Sequence, residues 1–581
     1  MDQSSAALNA ECFRFGAWRD GEEAVFRIWA PAVEHLAIEI DGAQTFSTSS
    51  LGCGWFEYRA KLPYGTRYRY LLPDGTCVAD PASRQQHDTV HGHSVVAPPH
   101  NYRWRSNSWR GRPWQETILY ELHVGLCGGF VGVEQRLPEL AALGVTAIEL
   151  MPVADFPGQR SWGYDGVLQF APAAAYGTPA ELKRLVDRAH ELGLSVFLDV
   201  VFNHFGPDGC YLHALSPEFF KAGIQTPWGA GIDFDRPEVR AFYRACALQW
   251  LDEYQFDGLR FDAVHAIPSP SFLLELEREI RQALPAGRHI HLVVENEENE
   301  ADLLTTYDAQ WNDDFHHAVH VLLTGETTTY YSSFAPEPIR HLARVLESGF
   351  AFQGEVASSR GGPRGTPSGH LPPRRFINCL QNHDQIGNRL FGERLLALAD
   401  PAKVKVATAL LLICPQIPMI FMGEEIGSRT PFYYFTDHGP ELAQAVREGR
   451  QREFAHQHNA GGSPAPDPNA PSTFDASRPK PGEDAETWRA LYCDLIALRQ
   501  EWIVPTLDAC RSKGAEPLGP DSVKAHWDLA GRELTLLANF GAESARTVVS
   551  AGRTIASLGD AAVDDGIATL NGAAFLAILS D

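Results

Sequence analysis

The chain is poor in positive charge. It carries 49 lysines and arginines against 73 aspartates and glutamates, a formal net charge of −24 over 581 residues. Recognition of nucleic acid or of an anionic membrane needs a basic footprint. Neither is expected as a partner, whereas a neutral substrate is compatible with this balance. There is no run of ~18 apolar residues of the kind that crosses a bilayer. The opening stretch MDQSSAALNAECF has neither a basic segment nor an apolar one, so no secretory signal is expected. The ten cysteines show no Cys-x-x-Cys spacing and read as reduced thiols of a cytoplasmic protein. No oxygen-rich loop with calcium spacing occurs, and no metal or cofactor is expected. Internal repeats and heptad arrays are absent as well.

What is present is an ordinary globular composition, 44% hydrophobic and 21% charged. Single cores stop growing near ~250–300 residues, so the chain is multidomain. Residues 1–112 read as an N-terminal β-sandwich of immunoglobulin type. Leu36, Ile38 and Ile40 alternate before Asp41-Gly42, and Tyr68 and Tyr70 alternate before Asp74-Gly75. From 113 to 503, short apolar runs alternate with amphipathic segments such as 179–192. Candidate strands cover 118–125, 145–153, 195–202, 258–264, 290–296, 309–315, 375–382 and 417–423. Eight βα units predict a multidomain α/β chain centred on a (β/α)8 TIM barrel. Loop insertions are expected at 204–240 and 354–373, the second rich in Gly and Pro and read as mobile. The stretch 455–483 is irregular. Residues 504–581 read as a C-terminal antiparallel β domain: Val523, Ala525, Trp527 and Leu529 alternate, Ala530-Gly531-Arg532 turns, and Leu534, Leu536 and Ala538 alternate.

A barrel of this kind carries its chemistry at the C-terminal strand ends. The third strand ends Asp199-Val-Val-Phe-Asn203-His204, the fourth Arg260-Phe-Asp262-Ala-Val-His265, the fifth at Glu295, and the seventh Asn382-His383-Asp384. Among them the three carboxylates Asp262, Glu295 and Asp384 and the two histidines His204 and His383 form a coherent set at one mouth. In a retaining glycosidase one carboxylate attacks the anomeric carbon, and a second protonates the leaving oxygen and then deprotonates water. Arg260 precedes Asp262 by two residues and points the same way, so it offers charge and hydrogen bonds to that carboxylate. Glu295 follows the apolar run Leu-Val-Val, where partial burial favours the protonated form an acid needs. Taken singly, each element has a plainer reading: a strand-end aspartate can cap a helix, Asn382-His383-Asp384 can cap the helix that follows, and His204 can be structural.

The order Asp199…Asn203-His204, Gly258-Leu-Arg260-Phe-Asp262, Glu295 and Asn382-His383-Asp384 resembles the four signature regions of the α-amylase superfamily of glycoside hydrolases (family 13). The resemblance implies Asp262 as nucleophile, Glu295 as acid/base and Asp384 as transition-state stabiliser. It implies His204, Arg260 and His383 as ligands of the sugar at the cleavage point. Tyr164, in Trp162-Gly-Tyr-Asp165-Gly166, resembles the aromatic platform beneath that sugar, with Trp162, Asp165, Asn203 and His265 counted beside it as substrate-binding residues.

Over almost the whole chain the sequence is closer to the trehalose-releasing branch of the superfamily. Gln310-Trp-Asn-Asp-Asp-Phe-His-His317 and Phe435-Thr-Asp-His438 are the more discriminating segments. This implies hydrolysis of the α-1,4 bond next to the terminal trehalosyl unit of a maltooligosyltrehalose. It also implies substrate contacts from Asp313, Asp314, His316, Gln385 and Asn388. For Asp313 and Asp314 a solvated loop position is the other reading. Glu424-Glu425 read as a helix cap, and Trp29 and Trp55 as core residues rather than a starch-binding surface of the carbohydrate-binding-module-like N-terminal domain.

Two segments depart from the pattern. After Glu295 the chain reads Asn296-Glu297-Glu298-Asn299, where the resembling enzymes place an aspartate and a basic residue. Leu126-Cys127-Gly128-Gly129 lacks the expected Thr-Phe-Thr. Both are expected near the mouth. A branching enzyme, an isoamylase-type debrancher and an inactive glucan-binding homologue remain as alternatives, separable by product analysis.

Overall fold

The computed structural model describes residues 15–42, 44–98, 102–454 and 465–580. The stretch read for a leader signal and residues 455–464 of the irregular segment lie outside these. At the centre is a closed barrel of eight parallel strands. They are β1 (Leu119–Leu122), β2 (Ala147–Leu150), β3 (Ser195–Val200), β4 (Gly258–Phe261), β5 (His291–Val294), β6 (Ala309–Trp311), β7 (Phe376–Cys379) and β8 (Ile417–Phe421). Every barrel-strand residue is buried. Helices cover the sheet outside and the strands' own side chains fill it inside, so these segments read as apolar runs.

Each strand is shorter than its apolar run. The expected strand at 309–315 keeps only Ala309–Trp311, because helix α1 (Asp313–Thr324) starts directly behind it. The shortening has a use: Asp262 and Glu295 follow the last residues of β4 and β5, so both stand on the C-terminal rim. Two further helices border that rim, the short α2 (His383–Gly387) and α3 (Pro440–Glu453).

The first part of the chain forms two facing antiparallel sheets. One has the order Gly16–Asp20, Glu23–Trp29, Trp55–Ala60, Ser49–Gly52. The other is built on Ala37–Ile40 and Arg67–Leu71. Phe26, Ile38, Tyr68 and Tyr70 pack between them. Trp29 and Trp55 are buried, and the Trp29 indole N–H donates to the Cys53 carbonyl at 3.1 Å. The last part forms a six-stranded antiparallel sheet between Arg511 and Ser580.

Both long barrel insertions carry structure. Residues 204–240 contain a hairpin, Phe220–Thr226 with Gly229–Ile232, that holds Trp228 at its tip. Residues 354–373 contain the short pairing of Val356–Ala357 with Gly362–Pro363. The amides of Gly365 and Thr366 fasten this loop to the carbonyls of Glu298 and Asn299 at 3.0 and 3.1 Å. Among the described residues no helix is long and apolar enough to cross a membrane.

Candidate active site

Arg260 organises the rim. It lies wholly buried on β4, in register with Asp199 on β3. Its Nη1 reaches Asp199 Oδ2 at 2.7 Å and Asp262 Oδ1 at 2.8 Å, and its Nη2 lies 2.8 Å from Glu295 Oε2. The Trp311 ring sits under the guanidinium, 4.0 Å from it. A buried cation is tolerable only when it is paired and hydrogen-bonded in this way. Burial pushes the Asp199 carboxyl up to about 7 although Arg260 works against it, with the charge of Asp262 adding to the rise.

Both oxygens of Asp262 accept hydrogen bonds, Oδ1 from Arg260 and Oδ2 from Asn203 Nδ2 at 2.7 Å. The next residue, Ala263, takes φ 40° and ψ 52°, a left-handed conformation that a residue with a Cβ adopts at a cost. The bend turns the Ala263 amide onto Glu295 Oε2 at 2.9 Å. One oxygen of Glu295 is thus held by Ala263 and Arg260. The carboxyl also lines the cleft, where its other oxygen can exchange a proton.

Asp384 comes from the first turn of α2. The Asn382 side chain caps that helix, accepting from the amides of Asp384 and Gln385 at 2.9 and 3.3 Å. The cap reading and the cleft reading of Asn382-His383-Asp384 therefore hold together. His383 is buried between Asp384, 3.5 Å away, and Glu121 of β1, which accepts from its Nδ1. Burial opposes the charged ring, but the carboxylates of Asp384 and Glu121 outweigh it and raise the imidazole to about 9. The Tyr164 ring stacks on His383 with centroids 5.2 Å apart, and its hydroxyl bridges Asp199 Oδ2 at 2.6 Å and His383 Nε2 at 2.8 Å.

Around these groups opens a cleft of about 980 Å³. Of the residues singled out from the sequence, Asp262, Glu295, Asp384, Trp162, Tyr164, Asp165, His204, His265, Asp313, Gln385 and Asn388 line it. Asp313 stands at the start of α1 and accepts from Gln385 Nε2 at 3.2 Å. Burial and the neighbouring Glu295 push its carboxyl up to about 7.

Asn203, Arg260 and His383 lie beneath the surface and act on it through Asp262, Asp199 and Tyr164. Two residues face elsewhere. Asp314 is fully buried against Arg364, Asn299 and the Ala351 amide. The His316 ring bonds the Leu380 carbonyl and, at 2.8 Å, the Tyr331 hydroxyl. On α1 the cleft side belongs to Asp313 and His317 instead, as the rotation of ~100° per residue requires.

The departures separate. Glu297 lines the cleft beside Arg360, whose Nη1 donates to the Glu297 carbonyl at 3.3 Å. The segment 126–129 does not line this cleft; the Leu126 carbonyl accepts from Arg478. Glu424 and Glu425 are buried in a short 3-10 turn, taking hydrogen bonds from Tyr492 at 3.0 Å and Tyr120 at 2.9 Å.

Sequence reasoning missed Glu121, Trp311, Trp228 and, on α1, His317. The first two lie inside apolar strands, where only the closed barrel shows what they face. Trp228 sits at the tip of an insertion hairpin and stacks over His204 with centroids 5.6 Å apart. An exposed tryptophan in a long insertion was the available signal.

The chain is similar to known proteins over most of its length. Residues 86–216 match the family model of the alpha amylase catalytic domain. The malto-oligosyltrehalose trehalohydrolase of Deinococcus radiodurans is 40% identical over 82% of this chain and 81% of its own. That of Saccharolobus solfataricus is 39% identical over 84% and 87%. A crystal structure from Salmonella typhimurium, provisionally described as an alpha amylase, superposes with a TM-score of 0.93 at 42% identity, covering 98% of this chain and 99% of that one.

Proposed function

The chain belongs to the malto-oligosyltrehalose trehalohydrolases, glycoside hydrolases of the α-amylase family, and from that premise we propose how its rim performs the reaction. It is a glycosidase. It hydrolyses the α-1,4 bond next to the terminal trehalose of a maltooligosyltrehalose, releasing trehalose and a shortened maltooligosaccharide. Asp262 attacks the anomeric carbon while Glu295 gives its proton to the departing trehalose oxygen. Glu295 then takes a proton from the water that attacks the glycosyl-enzyme, so configuration is retained. Asp384, exposed to the cleft and backed by His383, faces the oxocarbenium-like charge.

The observation that carries this reading is the single guanidinium of Arg260 spanning Asp262 and Glu295. That arrangement suits the roughly 5–5.5 Å spacing of a direct displacement better than the roughly 6.5–9.5 Å that must admit a water. Trehalose formation in the cytoplasm fits the described cysteines, all of which are free thiols.

The test is product analysis. Maltotriosyltrehalose is expected to yield trehalose and maltotriose, with the new reducing end appearing first as the α-anomer by proton NMR; maltopentaose is expected to react slowly. Equal cleavage of both, or new α-1,6 branches on amylose, moves the enzyme to a neighbouring specificity. A β-anomer as first product removes Asp262 as nucleophile. Glu295→Gln is expected to lower kcat by ~10²–10⁴-fold, the range of a general acid/base.

A further inference from the structure

Helix α3 carries its apolar residues on an unusual side. Its sequence is Pro-Glu-Leu-Ala-Gln-Ala-Val-Arg-Glu-Gly-Arg-Gln-Arg-Glu, and the only large apolar residues are Leu442 and Val446. A surface helix ordinarily turns such an i, i+4 pair into the protein core. Here the one fully buried residue is Ala443, while Leu442 and Val446 stay half-buried and line the cleft.

The helix is held in this orientation. One turn beyond Val446, Arg450 Nη2 donates to the carbonyls of Gly387 and Arg389, both at 3.4 Å, at the end of the helix that bears Asp384. The same guanidinium lies 5.0 Å from the Tyr434 ring, and Tyr434 packs edge-on against Trp162 at 5.1 Å. Arg447 pairs with Asp467 at 2.9 Å on the outer side. The wall is therefore joined to α2 and to the loop of Tyr164, whereas Glu295 is held by Arg260 and the Ala263 amide.

That side has a definite occupant. Glu295 must stand at the oxygen of the leaving trehalose, so the sugars that remain on the enzyme extend the other way, past Tyr164 and Asp384. A pyranose presents C–H faces with hydroxyls at its rim. A strip of Leu442 and Val446 bordered by the polar His438 and Asp165 matches that pattern. We propose that α3 forms the glycone wall of the cleft, and that Leu442 and Val446 bind the glucosyl units beyond the one being cleaved and so set chain-length preference. The inference rests on the trehalohydrolase reading for its orientation.

The test is kcat/KM for glucosyl-, maltosyl-, maltotriosyl- and maltotetraosyltrehalose. Wild type is expected to gain with each added glucosyl unit. In Leu442→Ala and Val446→Ala the gain between the shortest and longest substrate is expected to shrink by about tenfold, the scale of losing one buried aliphatic contact. Leu442→Met is expected to restore it. Thermal melts check that the variants are folded. A uniform loss at every length overturns the proposal, as does a wild type that gains nothing with length. If wild type releases no trehalose but cleaves plain maltooligosaccharides, the functional reading fails. The same ratio measured on the maltooligosaccharide series then still judges the wall.

Discussion

Glu149 stands on β2 beside Glu121 of β1, and neither of its buried oxygens has a hydrogen-bond partner. Burial holds its carboxyl well above the usual carboxylate range, with the charges of Asp199 and Glu121 adding to the effect. The folded chain thus keeps a proton that the unfolded chain releases above its ordinary value of 4.5. Stability tied to this group is fully present below that pH and is lost as pH rises. His383 acts in the same sense: its folded value near 9 lies above the ordinary 6.5, so its contribution is complete below 6.5 and fades through about 9. Glu149→Gln keeps the shape and removes one titration. Its melting temperature relative to wild type is expected to rise steadily from pH 5 to pH 8. Parallel curves over that range would exclude Glu149 as a protonated group.

Among the elements, the loop 354–373 and helix α1 are joined by a buried ion pair. Arg364 of the loop pairs with Asp314 of the helix, and both are buried. The loop then lays its amides on Glu298 and Asn299, next to Glu295. Removing one partner of a buried pair leaves the other charge without compensation, at a cost of about 3–5 kcal/mol. Arg364→Met is expected to lose stability on that scale in urea unfolding. Arg364→Met with Asp314→Leu is expected to regain only part of it, since the uncompensated charge is gone but Asn299 and the Ala351 amide lose their acceptor. A single variant as stable as wild type would mean the pair does not anchor the loop. The two unrecognised roles on α1 have the same root. Asp313-Asp314 and His316-His317 are adjacent in sequence, and only the helix phase decides which member of each pair meets the cleft.

At the scale of the whole molecule, a single apolar cluster runs from Phe15, Trp29 and Trp55 through the barrel to Trp527, Leu534 and Leu579. Arg499, buried in the helix Ala485–Trp502, donates to the carbonyls of Leu412, Cys414 and Gln416 and ties that helix to the barrel beside β8. The C-terminal sheet thus covers barrel surface that would otherwise face water. Truncation after Trp502 exposes it and is expected to give insoluble or inactive protein. A soluble truncated enzyme of wild-type kcat would show that the barrel stands alone.

Much of this was written in one dimension. Period-two alternation marked the β regions at either end, and eight apolar runs marked the barrel. Fixed residue types at strand ends marked Asp262, Glu295 and Asp384, because a strand that closes into a barrel must deliver its terminal side chains to one rim. The sequence could not say which charges pair across that rim, since Arg260 meets Glu295, and His383 meets Glu121, only when strands distant in the chain become neighbours. Nor could it show that Leu442 and Val446 face a cleft rather than a core. That choice belongs to the packing of α3 against α2, which tertiary contacts alone decide.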